Sequence, residues 1–179
     1  VAPGRFDLCD VRAQVRELGA ATGQSDVAET ATRLRTAAVA VQGPGLRLTV
    51  TPVASDGGRG DVTDKDLQAL VNALWFVGAE AVSVNGQRIG TLTSIRTAGA
   101  AVTVNFVSIS PPYEIRAIGD TTTMRSRLAD TAIGRELQRR ADLNGLGYEV
   151  VGAGDQTLGA IPDQRQRLRH AETAEEEAP

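Results

Sequence analysis

One cysteine and one histidine are all that 179 residues supply of thiol and imidazole groups. Cys9, being single, excludes an internal disulfide framework. His170 lies in a polar C-terminal stretch, so a Ser-His or Cys-His pair held by a rigid scaffold is not expected. Aromatic residues make up only 3% of the chain, so its core must be built from Val, Leu, Ile and Ala. Charge is nearly balanced at -3, without the basic excess that phosphate neutralisation needs, and nucleic-acid binding is not expected. No run of about 18 apolar residues occurs, so no membrane-spanning helix is expected within the sequence. A Gly-Lys-Ser/Thr phosphate loop is also missing. Gly152-x-Gly154 has Thr157 where a dinucleotide fingerprint needs its third glycine, and Pro162 follows instead of a long helix. Asp56, Asp61, Asp64 and Asp66 crowd one stretch, yet their spacing matches no calcium loop, and the last two suit a helix N-terminus. No metal, cofactor or catalytic residue is therefore expected, and the chain reads as a non-enzyme.

What is present divides into three parts. Residues 1–42 read as a helical stalk segment. Leu8, Val11, Val15 and Leu18 follow coiled-coil spacing, and Val27, Ala31, Leu34, Ala38 and Val41 resume it in another register beyond Gly19 and Gly23. Residues 43–162 read as a folded α+β domain. Residues 163–179, with Arg165, Arg167 and Arg169 followed by Glu172, Glu175, Glu176 and Glu177, read as a disordered polar tail. The chain opens Val1-Ala2-Pro3-Gly4 without methionine, which suggests a processed or trimmed product from which a signal peptide or anchor could have been removed.

Within the domain, Gly43-Pro44-Gly45 stops the helix and Leu46 to Thr51 alternates as a half-buried strand. Thr63-x-x-Asp66 resembles a capping box, opening a helix with Leu67, Leu70, Val71, Leu74 and Trp75 on one face and Gly78 at its end. A strand from Ala79 to Val84 ends at Asn85-Gly86, a tight-turn signal. Thr91 to Thr97 and Ala100 to Val107 read as further strands, the latter with Val102, Val104 and Phe106 on one side. Pro111-Pro112 demands an extended chain at a sheet edge before the strand Tyr113 to Ile118. Asp120 caps a helical stretch that Gly145 stops, and Leu146 to Val151 is the last strand. This order predicts a ferredoxin-like split βαβ sandwich with extra strands, preceded by N-terminal helices, with both helical segments on one face of one mainly antiparallel sheet.

Five residues stand out as ligand- or partner-binding candidates. Asn85 and Asp120 have structural uses of their own, in a turn and a cap. Arg88 and Arg96 are less easily explained, because nothing local requires a guanidinium, and they could flank a carboxylate- or phosphate-binding patch. Tyr113, behind two prolines, offers a rigid aromatic edge.

These same stretches, Asp66 to Ile89 and Pro111 to Asp120 above all, resemble the bacterial domain-of-unknown-function 881 family, the YlxW-like envelope proteins. The likeness runs from about Leu46 to Val151. It implies a single-span anchor, a coiled-coil stalk and an exported ferredoxin-like domain on the extracytoplasmic side of the cell membrane, with other envelope or division proteins as partners. This chain departs from that pattern in lacking the span and in a stalk broken by Gly19 and Gly23. The expected function is thus a non-enzymatic interaction module, at most a weak homodimer; the alternative is a small-ligand-binding regulatory domain with Arg88, Arg96 and Tyr113 near the site.

Overall fold

Leu46, Leu48 and Val50 alternate with Arg47, Thr49 and Thr51, and in the computed structural model the first three are fully buried while the others face away from the core. The structure describes residues 33, 36–53, 61–99 and 101–162. The seams of the first 32 residues, the tail from 163, Cys9, His170 and Asp56 lie outside the described residues.

The elements run β1 (Val41–Thr51), α1 (Asp64–Phe76), β2 (Ala81–Val84), β3 (Gln87–Ile89), β4 (Ile95–Ala98), β5 (Ala101–Val104), β6 (Val107–Ile109), β7 (Tyr113–Ile118), α2 (Thr121–Ala129), α3 (Ala132–Asn144) and β8 (Gly147–Leu158). A five-stranded sheet has the order β3-β2-β7-β1-β8, every neighbouring pair antiparallel. A second sheet, β4-β5-β6, is an antiparallel meander. Among the described residues the architecture is α+β, with three helices bounded at both ends.

The capping box forms as read: the Thr63 hydroxyl accepts from the Asp66 N–H, and the Asp66 carboxylate accepts from the Thr63 N–H at 2.9 Å. Leu67, Leu70, Val71 and Leu74 then face the sheet, and Gly78, with φ 102°, releases the chain from the helix. Trp75 departs from that reading, since it is 38% exposed on the flank of α1. Arg140 of α3 reaches the same N-terminus, 3.1 Å from Asp66, and ties the two helices together.

Four further readings change. Val41 and Gln42 are strand rather than helix: Ala37, at φ 60°, has left helical geometry, and β1 begins four residues later. The stretch Ala100 to Val107 is not one strand. Asn105 and Phe106 take φ 54° and 65°, the paired left-handed conformations of a tight hairpin turn, and Phe106 is 76% exposed at its tip. This hairpin joins the second sheet, so the expected single sheet is two. The stretch Thr121 to Asn144 is likewise two helices, broken where the Thr131 hydroxyl donates to the Leu128 carbonyl (2.6 Å) and accepts from the Gly134 N–H (3.0 Å). The strand expected over Leu146 to Val151 runs on to Leu158.

That last extension shapes the molecule. The β1–β8 register shifts between Gly43 and Gly45, where a Cβ on Gly45 would lie 1.8 Å from the Ala117 carbonyl oxygen. Only glycine allows this approach. Beyond it the ribbon of Val41–Gly43 and Gln156–Leu158 bends over the sheet face opposite the helices, where Val41 and Leu158 cover Ala81 and Ile118. The Gly119 N–H donates to Pro44 and the Gln156 side chain to Ala117, both across this fold.

Candidate functional site

Two of the concave regions among the described residues lie on opposite sides of the main sheet. The larger is a groove of about 560 Å³ between α2, α3 and β8. Its walls carry Arg125 from α2 and Arg135 and Arg139 from α3, against one acid, Asp142; its floor is Leu128, Tyr148 and Val150. Arg135 and Arg139 are four apart, which places them one turn above another on the same helix face. The Arg139 guanidinium also pairs with the exposed Glu136 at 2.8 Å. Tyr148 is half-buried at the groove floor, and this burial pushes its hydroxyl up to about 12. Leu143, 69% exposed, forms an apolar lip. Beside this groove β8 is the last strand of its sheet and pairs only with β1 among the described residues, leaving twelve residues with one open edge. An open edge is a row of unpaired N–H and C=O groups. None of these residues stood out in the sequence, because the arginines belong to two helices and Tyr148 to a strand; the i, i+4 spacing of Arg135 and Arg139 was the only local signal.

The smaller region, about 310 Å³, lies under the bent ribbon and is walled by Arg88, Val41, Gln42, Ala81 and Ile118, with the exposed Glu80 at its rim. Arg88, only 4% exposed, donates through Nη1 to the carbonyls of Val39 (3.3 Å) and Gly159 (3.2 Å). Its own carbonyl accepts from the buried Asn105 side chain at 3.2 Å.

Of the other residues singled out by sequence, Asn85 is a clamp. Its Nδ2 donates to Ser110 (3.0 Å) and Pro112 (3.3 Å), and its Oδ1 accepts from the Glu114 N–H (2.9 Å), fastening the Pro111-Pro112 segment, which has a cis peptide bond, to the β2–β3 turn. Tyr113 follows that segment but turns inward to the core, where burial raises its hydroxyl pKa. Asp120 caps α2: its carboxylate accepts from the Thr123 N–H at 2.6 Å, and hydrogen bonding to Thr123 holds it below its ordinary range. Arg96, exposed on β4, lies over the Phe106 ring at 5.9 Å. Asn85 and Tyr113 therefore share a neighbourhood, while Arg88, Arg96 and Tyr113 do not form one patch: Arg88 is enclosed, Tyr113 is in the core and Arg96 is outside.

Among the described residues no group of three His, Cys, Asp or Glu side chains is placed to hold a metal ion, and no helix is long and apolar enough to cross a membrane.

Comparison with known proteins places this arrangement. The UPF0749 protein Rv1823 of Mycobacterium tuberculosis is 42% identical over 104 residues, covering 51% of this chain and 34% of that protein. The UPF0749 protein YlxW of Bacillus subtilis is 36% identical over 87 residues, covering 46% of this chain and 38% of its own. This chain thus spans about a third of the length of the curated relatives it matches. A crystal structure of an uncharacterized conserved protein from Mycobacterium tuberculosis superposes with a TM-score of 0.63 at 26% identity, over 81% of this chain and 98% of that one. The model of a bacterial protein family of unknown function, DUF881, matches from residue 29 to residue 172, and the chain belongs to that family.

Proposed function

We propose that this chain is a non-enzymatic interaction module of the bacterial cell envelope that docks an extended, acidic segment of a partner protein along β8. The observation that carries this reading is the groove of about 560 Å³, lined by three arginines over an apolar floor and bordered by an open strand edge. A strand added to that edge gains main-chain hydrogen bonds, and its alternate side chains enter the groove. Those side chains meet the guanidinium groups of Arg125, Arg135 and Arg139 above Tyr148 and Val150, which suits carboxylates interleaved with apolar residues. The scaffold reads as ferredoxin-like: α1 links β1 to β2, α2 and α3 link β7 to β8, and β3 and the second sheet are additions. The envelope setting, on the extracytoplasmic side and beside division or other envelope proteins, rests on the likeness to YlxW-like proteins.

Fluorescence anisotropy tests the docking reading. Labelled peptides alternating glutamate with valine should bind, weaken as salt rises, and lose binding to the R125E/R139E variant. Equal binding of a peptide with lysine in place of glutamate, or unchanged binding by the variant, would contradict it.

A further inference from the structure

Arg88 is the one fully buried charged side chain among the described residues. A guanidinium stays protonated in proteins, so burial does not remove its charge. Taking that charge out of water is costly unless a counter-charge repays it. None of the ion pairs among the described residues includes Arg88. The carbonyls of Val39 and Gly159 serve Nη1 alone. Nε is buried without an acceptor, and Nη2 makes no hydrogen bond among the described residues. Nε and Nη2 form one edge of the guanidinium, with two parallel N–H groups, and it is this edge that the described residues leave unused. Such an edge matches the two oxygens of a carboxylate.

The surroundings narrow the ligand further. The cavity that Arg88 walls is about 310 Å³, near the lower end for small-molecule sites. Val41, Ala81 and Ile118 make it mainly apolar, and one guanidinium balances one negative charge. Glu80 at the rim repels any anion, and a doubly charged phosphate about twice as strongly as a carboxylate. We propose that the Nε–Nη2 edge of Arg88 is a carboxylate-binding site, taking a monoanionic carboxylate on a short apolar body that rests against Val41, Ala81 and Ile118. Both a free organic acid and the C-terminal carboxylate of a peptide carry this chemistry. The site lies on the sheet face opposite the α2–α3 groove and stands independently of the docking reading.

The test uses the full chain labelled with nitrogen-15 and follows the Arg88 Nε–H and the amides of Gln42, Ala81 and Ile118 by NMR. The probes are isobutyrate, its neutral isostere isobutyramide, and the peptide Gly-Gly-Val with a free or an amidated C-terminus. Isobutyrate or the free peptide should shift these signals saturably, while both amides leave them unmoved; the tighter of the two binders identifies the source. R88K, which keeps the charge and loses the two-pronged edge, should bind about tenfold more weakly. Because the first comparison is made on the wild-type protein, it stands even where R88K fails to fold. No saturable shift with either carboxylate, equal shifts with the amides, or a folded R88K that binds as tightly as wild type would each overturn the assignment.

Discussion

Leu74 and Trp75 are neighbours on α1, yet Leu74 is fully buried and Trp75 is 38% exposed. By residue type alone the tryptophan would be the larger loss. Truncating Leu74 to alanine removes three carbon atoms from a packed interior. Each buried methylene is worth about 0.8 kcal/mol, so transfer alone accounts for about 2.4 kcal/mol. The unfilled space left behind brings the total to about 2.7–5 kcal/mol. Trp75 flanks a shallow surface depression with Gln68 and Asn72, where solvent can replace the ring. Its truncation should therefore cost about 1 kcal/mol. Urea denaturation followed by circular dichroism measures both, with the same slope expected for each variant and a displaced midpoint for Leu74→Ala. A Trp75→Ala penalty equal to or larger than that of Leu74→Ala would refute the orientation of α1 on the sheet.

Gly45→Ala should destabilise by about 1–3 kcal/mol, because its Cβ would meet the Ala117 carbonyl, whereas Gly154→Ala, which has open space, should change the melting temperature little; equal effects would contradict the bend. Asp64 and Asp120 are held below the ordinary 3.8 by hydrogen bonds from Thr97 and Thr123, so the stability they contribute is complete above that value and is lost as pH falls through their lower folded values. The D64N/D120N variant should accordingly show a shallower decline in thermal stability between about pH 5 and pH 2, and an unchanged slope would count against both hydrogen bonds. Tyr148, pushed up to about 12, contributes stability that is complete below an unfolded value near 10 and is lost as pH rises toward 12. Tyr148→Phe should blunt that alkaline loss in melts taken across the range; if it does not, the ring is open to water.

How much of this was legible in the sequence depends on the range over which each feature is decided. α1 was legible because its capping box, apolar face and terminal glycine all lie within sixteen residues, Thr63 to Gly78, and Asn85-Gly86 names its own turn. The Asn105-Phe106 turn was hidden because it uses no glycine, and the alternation of Val102, Val104 and Phe106 runs straight through it. The bend at Gly43–Gly45 read as a helix stop, since the reason for its glycines is the Ala117 carbonyl of another strand. Arg88 was identified as lacking a local explanation, and it does lack one: its acceptors are 49 and 71 residues away. The groove was invisible because Arg125, Arg139 and Tyr148 become neighbours only when α2 and α3 pack beside β8.

The most direct measurement of the docking surface is amide hydrogen exchange by NMR on the full chain, alone and with the alternating glutamate–valine peptide. Added strand pairing predicts slowed exchange for amides of Gly147–Leu158 that β1 does not engage, together with shifts at Tyr148 and Leu143, both fading as salt rises. Protection confined to other strands, or binding that leaves the exchange of β8 unchanged, would contradict the account.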